Sequence, residues 1–202
     1  MIVNWPERIW CNSYLRRLVQ AKETRTFKAM RPMKPGAVWV EIGCGNGAGA
    51  AYVARMFQAR SVAAFDLDPA MIALAKKRLP ASLRGVVSFL LADCQHIPME
   101  TACADAVVNY GIIHHLEDWD AGIREVGRIL RPGGAFYFEE IFPPLYANFL
   151  MRRIVAHPTK NRFHGPQFKK SLADAGLMLE PGFHESRFGI VGVAVKRENQ
   201  RL

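Results

Sequence analysis

The sequence predicts an α/β fold in which a mostly parallel sheet lies between two layers of helices. After an N-terminal helical stretch at about residues 6–30, short apolar segments alternate with helical segments. This alternation is typical of parallel sheets with helices on both faces. A glycine-rich turn follows the first apolar segment, and acidic residues follow the next two. These observations indicate a nucleotide pocket at the carboxyl edge of the sheet.

Length and composition limit the class of protein. The chain has 202 residues, half of them hydrophobic, which suffices for one core, so we expect a single domain. No apolar run reaches the roughly 20 residues that span a bilayer, and no leader pattern is visible, so we expect a soluble cytoplasmic protein. The four cysteines lack metal-ligand spacing, and we expect free thiols and no metal. The formal net charge of +9 favours anionic partners: nucleic acid, acidic lipid headgroups or acidic metabolites.

The elements follow in order from local signals. We expect strands at 38–42, 61–65, 86–90, 104–109 and 135–139, with helices at 48–57, 69–78 and 120–130 between them. Asp68 and Pro69 form a helix N-cap and first-turn proline, and the Arg131-Pro132-Gly133-Gly134 segment ends the third of these helices. A last helix opens at Gly165 and closes at Gly176. Two late strands at 177–179 and 190–196, joined by a short connection, predict an antiparallel hairpin.

The glycine-rich turn is ambiguous when it is considered alone. The apolar segment Val38–Ile42 runs into glycines at every second position, and residues 45–50 also fit the dinucleotide pattern GxGxxA. Later residues at strand ends narrow the choice. Asp66 lies about 20 residues beyond the turn, where a carboxylate can accept from both ribose hydroxyls, and Asp93-Cys94 follows the third strand. Both carboxylates are expected outside the carboxyl ends of strands, where a ligand lies.

Five segments in sequence order carry a resemblance to a known family: Val-Glu-Ile-Gly-Cys-Gly-Asn-Gly at 40–47, Ala-Phe-Asp-Leu-Asp-Pro-Ala-Met at 64–71, Leu-Ala-Asp-Cys at 91–94, Asp-Ala-Val-Val-Asn at 105–109 and Leu-Arg-Pro-Gly-Gly at 130–134. With them the chain resembles the class I S-adenosylmethionine-dependent methyltransferases, of the small-molecule, methyltransferase type 11-like kind. The resemblance implies a Rossmann-like, three-layer, seven-stranded sheet with an antiparallel last strand. It also implies S-adenosyl-L-methionine as cofactor and S-adenosyl-L-homocysteine as product.

The resemblance also implies roles for individual residues. The methionine part of the cofactor falls to Glu41 and to the turn formed by Gly43, Cys44, Gly45, Asn46 and Gly47. Asp66 binds the ribose diol, and the adenine lies among Leu67, Met71, Asp93 and Cys94. Asn109 and Tyr110 border the methyl group. Two residues have plainer alternatives, since Asp93 also suits a turn and Met71 also suits the core.

Methyl transfer from a sulfonium needs alignment of the nucleophile, and it needs a base only when the acceptor must lose a proton. The best placed candidates are His114 and His115, after the fourth strand, with Glu139 and Glu140 at the end of the fifth, and of the two acids we favour Glu140. A role in orienting the loop or lining the substrate pocket is the alternative for the histidines. The fourth strand lacks the Asn-Pro-Pro-Tyr loop of amino methylation and the Pro-Cys nucleophile of cytosine methylation, so a small-molecule acceptor is favoured.

We divide the domain into an N-terminal helical lid segment (1–33), a cofactor-binding core (34–140) and a substrate-side segment with a C-terminal hairpin (141–202). The N-terminal helix interleaves apolar and basic residues, among them Trp10, Leu15, Arg16 and Arg17. It suits a lid over the cofactor or peripheral contact with an anionic membrane. With the aromatic residues after the fifth strand, it predicts a hydrophobic acceptor such as a quinone precursor or lipid.

Three other functions stay open at this point. An RNA or protein methyltransferase also suits the positive charge, although nucleic acid is not the expected partner. A nicotinamide-dependent oxidoreductase shares the glycine turn but leaves Asp93 unexplained. A non-enzymatic cofactor-binding module keeps Glu41, Asp66 and Asp93 without an acceptor cavity.

Overall fold

A computed structural model describes residues 5–147 and 160–198. Residues 148–159, part of the predicted substrate-side segment, lie outside this range. The described strands are β1 (Val38–Ile42), β2 (Ser61–Asp66), β3 (Val87–Leu91), β4 (Ala104–Tyr110), β5 (Leu130–Ile141), β6 (Leu177–Leu179), β7 (His184–Ser186) and β8 (Gly189–Lys196). The described helices are α1 (Trp5–Asn12), α2 (Tyr14–Met30), α3 (Ala48–Met56), α4 (Pro69–Arg78), α5 (Trp119–Ile129), α6 (Pro143–Tyr146) and α7 (Gly165–Asp174).

The strands form one mixed sheet in the order β3-β2-β1-β4-β5-β8-β6, with β7 paired to β8. The pairs among β1 to β5 are parallel, whereas β8 runs antiparallel to β5, β6 and β7. This confirms the predicted fold class and the antiparallel strand near the C-terminus. The strand count is corrected from seven to eight, because the connection between the two late strands itself contributes the short β7. The strand order reverses between β1 and β4, where parallel sheets open a ligand crevice.

Local capping explains where the helices begin. Asp68 caps α4 by accepting from the Ala70 N–H at 2.9 Å, with Pro69 in the first turn, as predicted. The N-terminal helical stretch is not continuous, because Ser13 separates α1 from α2 and accepts the Arg16 N–H at 3.0 Å. That hydroxyl gives α2 its own N-cap. None of the helices in the described ranges is long and apolar enough to cross a bilayer.

The core fills both faces of the sheet through the alternation of side chains along each strand. On one face Trp39 packs against Phe57, which directly follows α3, with ring centroids 4.4 Å apart. It also packs against Tyr137, with centroids 5.0 Å apart. On the other face Phe138 packs edge to face on Phe168 of α7 at 5.2 Å. The same alternation decides on which face each polar residue at the strand ends lies.

Candidate active site

A cavity of about 630 Å³ lies at the carboxyl ends of β1, β2, β4 and β5 and beneath the N-terminal helices. Most of the predicted site residues line it: Gly43, Cys44, Gly45, Asn46, Asp66, Leu67, Met71, Asp93, Cys94, Tyr110, His114 and His115. Four do not: Glu41, Gly47, Asn109 and Glu140 lie behind the wall. The predicted residues therefore surround one cavity: most of them line it, and the other four lie behind the lining residues.

The glycine turn and the end of β2 are tied together by one carboxylate. Gly43 and Gly45 have φ angles of 68° and 50°, a region that side-chain-bearing residues rarely adopt. The Gly45 N–H donates to Asp66 Oδ2 at 2.7 Å, and the Asp68 N–H donates to Asp66 Oδ1 at 2.9 Å. Burial raises the pKa of Asp66 above its ordinary value, while these amides oppose the rise. The turn is held open beside a carboxylate that lines the cavity.

Glu41 lies beneath this turn and is fully buried. Neither carboxylate oxygen has a hydrogen-bond partner within the described part of the chain. Burial raises the pKa of Glu41 well above its ordinary value. The nearby backbone of Ala50 opposes this rise, although it is not in hydrogen-bonding geometry with either carboxylate oxygen. A Cβ at Gly49 would overlap the Glu41 carboxylate and lie 2.6 Å from the Tyr110 ring. Buried carboxylates are normally satisfied, so this group points to a ligand or water as its missing partner.

On the far side of the cavity, Asp93 lines the wall and also shapes its own turn. Its Oδ1 accepts the Gln95 N–H at 2.9 Å and the Gln95 side-chain amide at 3.1 Å. Asp93 therefore both stabilises its own turn and lines the cavity. Met71 is almost buried and contacts the Asn12 amide through its sulfur, whereas Leu67 is partly exposed at the rim.

Helix α1 closes over this side of the cavity through polar contacts. The Asn46 amide donates to the Cys11 carbonyl at 2.5 Å while its oxygen accepts the Ala48 N–H at 3.1 Å, which caps the start of α3. Arg8 forms an ion pair with Asp68. The N-terminal segment thus covers the adenine side that the sequence predicted.

Glu140 organises the other end of the cavity from behind. Its Oε2 lies 2.7 Å from His114 Nδ1, and its Oε1 accepts the Ile113 N–H at 2.8 Å and the Asn109 amide at 2.5 Å. Asn109 in turn accepts the Ile112 N–H at 2.9 Å. Glu140 is fully buried, so it positions His114 and the turn after β4 without reaching the cavity.

The His114 ring faces the cavity among aromatic neighbours. Its centroid lies 4.2 Å from that of His115 and 5.5 Å from that of Tyr146, on which it stacks. Burial raises the pKa of Tyr146 to about 12, so its hydroxyl stays protonated at neutral pH. Of the residues proposed for catalysis, His114 and His115 line the cavity and Glu140 supports them.

Two charged residues in the cavity were missed by the sequence reasoning, Arg16 and Glu23, and a third, Glu139, was considered only as a candidate base beside Glu140. Arg16 donates to both Glu23 oxygens at 2.9 and 3.1 Å and to the Tyr110 carbonyl at 2.8 Å. Burial raises the pKa of Glu139 to about 8, with smaller contributions from Glu23 and Glu140. The only sequence signal was the spacing of seven between Arg16 and Glu23, which places them on one helix face.

Comparison with known proteins gives a family and several relatives. A family profile described as a methyltransferase domain matches residues 40–138. The fatty-acid O-methyltransferase of Mycolicibacterium smegmatis is 31% identical over 69% of this chain and 43% of its own length. The phthiotriol/phenolphthiotriol dimycocerosates methyltransferase of Mycobacterium leprae is 34% identical over 52% of this chain and 37% of its own. The chain thus spans less than half the length of these two curated relatives.

A solved structure agrees with the fold. An S-adenosylmethionine-dependent methyltransferase from Aquifex aeolicus superposes with a TM-score of 0.72 at 17% identity, covering 95% of this chain and 98% of that one. At this identity the likeness concerns the fold alone. It extends beyond the profile match to 95% of this chain.

Proposed function

The chain carries the methyltransferase domain that the family profile describes, matched over residues 40–138, and it has the fold of a solved S-adenosylmethionine-dependent methyltransferase. From this premise we propose that it transfers a methyl group from S-adenosylmethionine to a small, lipid-like acceptor. The observation that carries the proposal is one continuous cavity, which has a polar end at the glycine turn and an apolar end at His114. Two substrates that meet in one cavity can react by direct transfer.

The polar end fits the cofactor. Asp66 is the ribose-binding residue in this proposal, because it lines the cavity and still has carboxylate lone pairs beyond its two backbone partners. Leu67 and Met71 flank the adenine, Asp93 accepts from its amino group, and the Cys94 backbone lies beside it. Met71 lies in the first turn of α4, and the other four residues follow or end β2 and β3, at the carboxyl edge of the sheet where ligands bind.

The methionine end of the cofactor carries an ammonium and a carboxylate, and the charged residues in the cavity suit them. Arg16 offers a guanidinium, and Glu23 and Glu139 offer carboxylates in the same part of the cavity. Glu41, unpartnered behind the turn, adds a further acidic group on this face of the sheet. We assign the carboxylate to Arg16 and the ammonium to Glu139, supported by the raised pKa of Glu139, which a cation would lower.

The apolar end fits a hydrophobic acceptor. It is lined mainly by carbon, from Val19, Ile112, Leu116, Ile141, Leu145 and Tyr146. The names of the relatives agree with this lining, since they specify a fatty acid and phthiotriol lipids. The acceptor's reactive oxygen lies beside His114 in this arrangement, with its chain along the apolar wall.

Bound S-adenosylmethionine supplies an activated methyl group on its sulfonium sulfur. The protein's own residues align the acceptor and hold protons. If the acceptor is a hydroxyl, His114 takes its proton as the new oxygen–carbon bond forms and the methyl–sulfur bond breaks, which would leave the neutral thioether S-adenosylhomocysteine. Glu140 stabilises the resulting imidazolium through Nδ1. If the acceptor is a carboxylate, no proton has to move and His114 only orients it.

Calorimetric titration tests the cofactor assignment directly. We expect the protein to bind S-adenosylmethionine and S-adenosylhomocysteine with micromolar affinity and to bind NAD at least about 100-fold more weakly, since the end of the cavity at which a nicotinamide would lie is lined mainly by apolar side chains. NAD binding that equals or exceeds S-adenosylhomocysteine binding contradicts the proposal and favours an oxidoreductase.

The pH dependence of cofactor binding tests Glu139. Because its pKa is raised to about 8, the carboxyl group is mostly neutral below that pH. An ammonium ligand favours the ionised form, so binding releases a proton and affinity rises with pH. We expect S-adenosylhomocysteine affinity to rise about tenfold between pH 6.5 and 8 in the native protein. In Glu139→Gln this rise is reduced.

The ligand's own amino group titrates equally with both proteins, so the difference between the two profiles isolates Glu139. Glu180→Gln is the matched control, because Glu180 pairs with Arg31 away from the cavity. It should keep the native profile. An unchanged slope in Glu139→Gln would remove the ammonium assignment while leaving the ribose and adenine contacts untouched.

A further inference from the structure

The N-terminal helices expose an unusual combination of side chains. Ile9 is 62% exposed, Tyr14 72% and Leu15 57%, and Trp10 and Leu18 are each about half exposed. Large apolar side chains normally occur singly on a surface, whereas a contiguous set marks a contact site. We call these five residues the apolar patch.

Basic residues continue the same surface along α2. Tyr14, Leu18, Lys22 and Arg25 follow each other at spacings of three and four, so they share one helix face. Arg17, Lys22 and Arg25 are exposed, and none forms an ion pair within the described residues. The face changes from apolar in its first turns to cationic in its later turns.

The apolar patch borders the mouth of the cavity. Trp10 belongs to both, since it lines the cavity and is 48% exposed. Leu145 of α6 lines the apolar end and is also substantially exposed, and Val19 of α2 lines the wall one residue after Leu18. A hydrophobic molecule that entered here would pass from the patch directly into the acceptor end.

We propose that the apolar patch and the adjoining cations of α2 dock on the surface of an anionic lipid bilayer, with the cavity mouth facing the membrane. Apolar side chains enter the headgroup boundary, tryptophan and tyrosine suit that interface, and lysine and arginine attract acidic headgroups. Each cation near such a surface adds to the affinity, in line with the net charge of +9. The docking stands alone, whereas delivery of the acceptor from the bilayer rests on the proposed function.

Vesicle flotation tests the docking without cofactor or acceptor. We expect the native chain to float with phosphatidylcholine vesicles that contain phosphatidylglycerol, to bind pure phosphatidylcholine much more weakly, and to lose affinity as salt is added. The double variant Leu15→Ser, Leu18→Ser should bind at least about tenfold more weakly, because two apolar side chains no longer enter the lipid. Lys22→Glu with Arg25→Glu should lose a similar factor at low salt.

Two exposed residues elsewhere give matched controls. Met178→Ser removes an apolar side chain on β6, and Lys170→Glu reverses a charge on α7; both lie outside the patch and should bind as the native chain does. The double variant Lys22→Glu, Arg25→Glu also keeps the test decisive if the double variant Leu15→Ser, Leu18→Ser fails to fold. Thermal melting and S-adenosylhomocysteine titration check that each variant is folded.

Several results would overturn the docking proposal. Failure of the native chain to float with anionic vesicles at low salt would do so, as would native-like binding by the leucine variant. A dimer that the leucine substitutions dissociate, without vesicle binding, would assign the patch to a second copy of the chain. If the native chain floated with anionic vesicles but did not bind S-adenosylhomocysteine, the proposed function alone would be contradicted.

Discussion

Asp66→Ala is expected to lower the affinity for S-adenosylhomocysteine by about 100-fold or more. Hydrogen bonds to a charged group contribute about 1.5–3 kcal/mol each, and the proposal gives this carboxylate two ribose hydroxyls. The substitution also removes the hydrogen bond from the Gly45 N–H to Asp66 Oδ2, 2.7 Å long, which fixes the glycine turn. Calorimetry at one pH measures the loss, and thermal melting separates it from unfolding.

A ligand change makes this prediction specific for the ribose. The native protein should bind the 2′-deoxy analogue of S-adenosylhomocysteine more weakly than the parent compound, whereas Asp66→Ala should bind the two alike. If the effect of removing the 2′-hydroxyl disappears when Asp66 is removed, the two groups contact each other directly. Asp68→Ala is the matched control: it removes the α4 cap at a cost of about 1 kcal/mol in stability but should keep the preference for the parent. Discrimination that survives in Asp66→Ala would place the ribose elsewhere.

His114→Ala is expected to lower kcat about 10²- to 10⁴-fold with a long-chain alcohol or phenol as acceptor, the usual range for loss of a general base. With a fatty acid of equal length the loss should stay below about tenfold, because a carboxylate is already ionised at neutral pH. Cofactor affinity should change little, since His114 lies at the acceptor end. Turnover at saturating S-adenosylmethionine is the measurement.

The other histidines provide the comparison. His184→Ala changes an exposed residue of β7 and should retain native turnover. His115→Ala should have a smaller effect than His114→Ala, because Glu140 contacts the His114 ring. If His115→Ala alone abolished turnover with the alcohol, the base would be His115. Equal small losses with both kinds of acceptor would leave the histidines a positioning role only.

Much of the cofactor end follows from the sequence because its signals are local. The Gly43–Gly47 turn, the Asp68 cap and the acids at the ends of two strands are each recognisable within a few residues. Parallel strands bring their carboxyl ends to one edge, so residues far apart in the chain meet without further information. The same segments predict a methyltransferase domain, and the profile match over residues 40–138 confirms that domain.

The face on which a strand residue lies was harder to predict. Glu139 and Glu140 are neighbours at the end of β5, and the sequence reasoning named both as candidate bases but favoured Glu140. Alternation puts them on opposite faces, so Glu139 lines the cavity while Glu140 is buried behind His114. Asn109 and Tyr110 divide in the same way, and only Tyr110 reaches the cavity.

The sequence by itself determined the α/β class, the succession of core strands along the chain, the methyltransferase domain and most of the residues that line the polar end of the cavity. It did so because periodicity, capping and glycine conformations act over short distances. Only the tertiary structure decided that Arg16 and Glu23 enter the cavity, that Glu140 supports His114 from behind, and that an apolar patch adjoins the mouth. Those arrangements depend on how α1 and α2 pack across the sheet edge, which is set by contacts between residues as far apart as Arg16 and Tyr110.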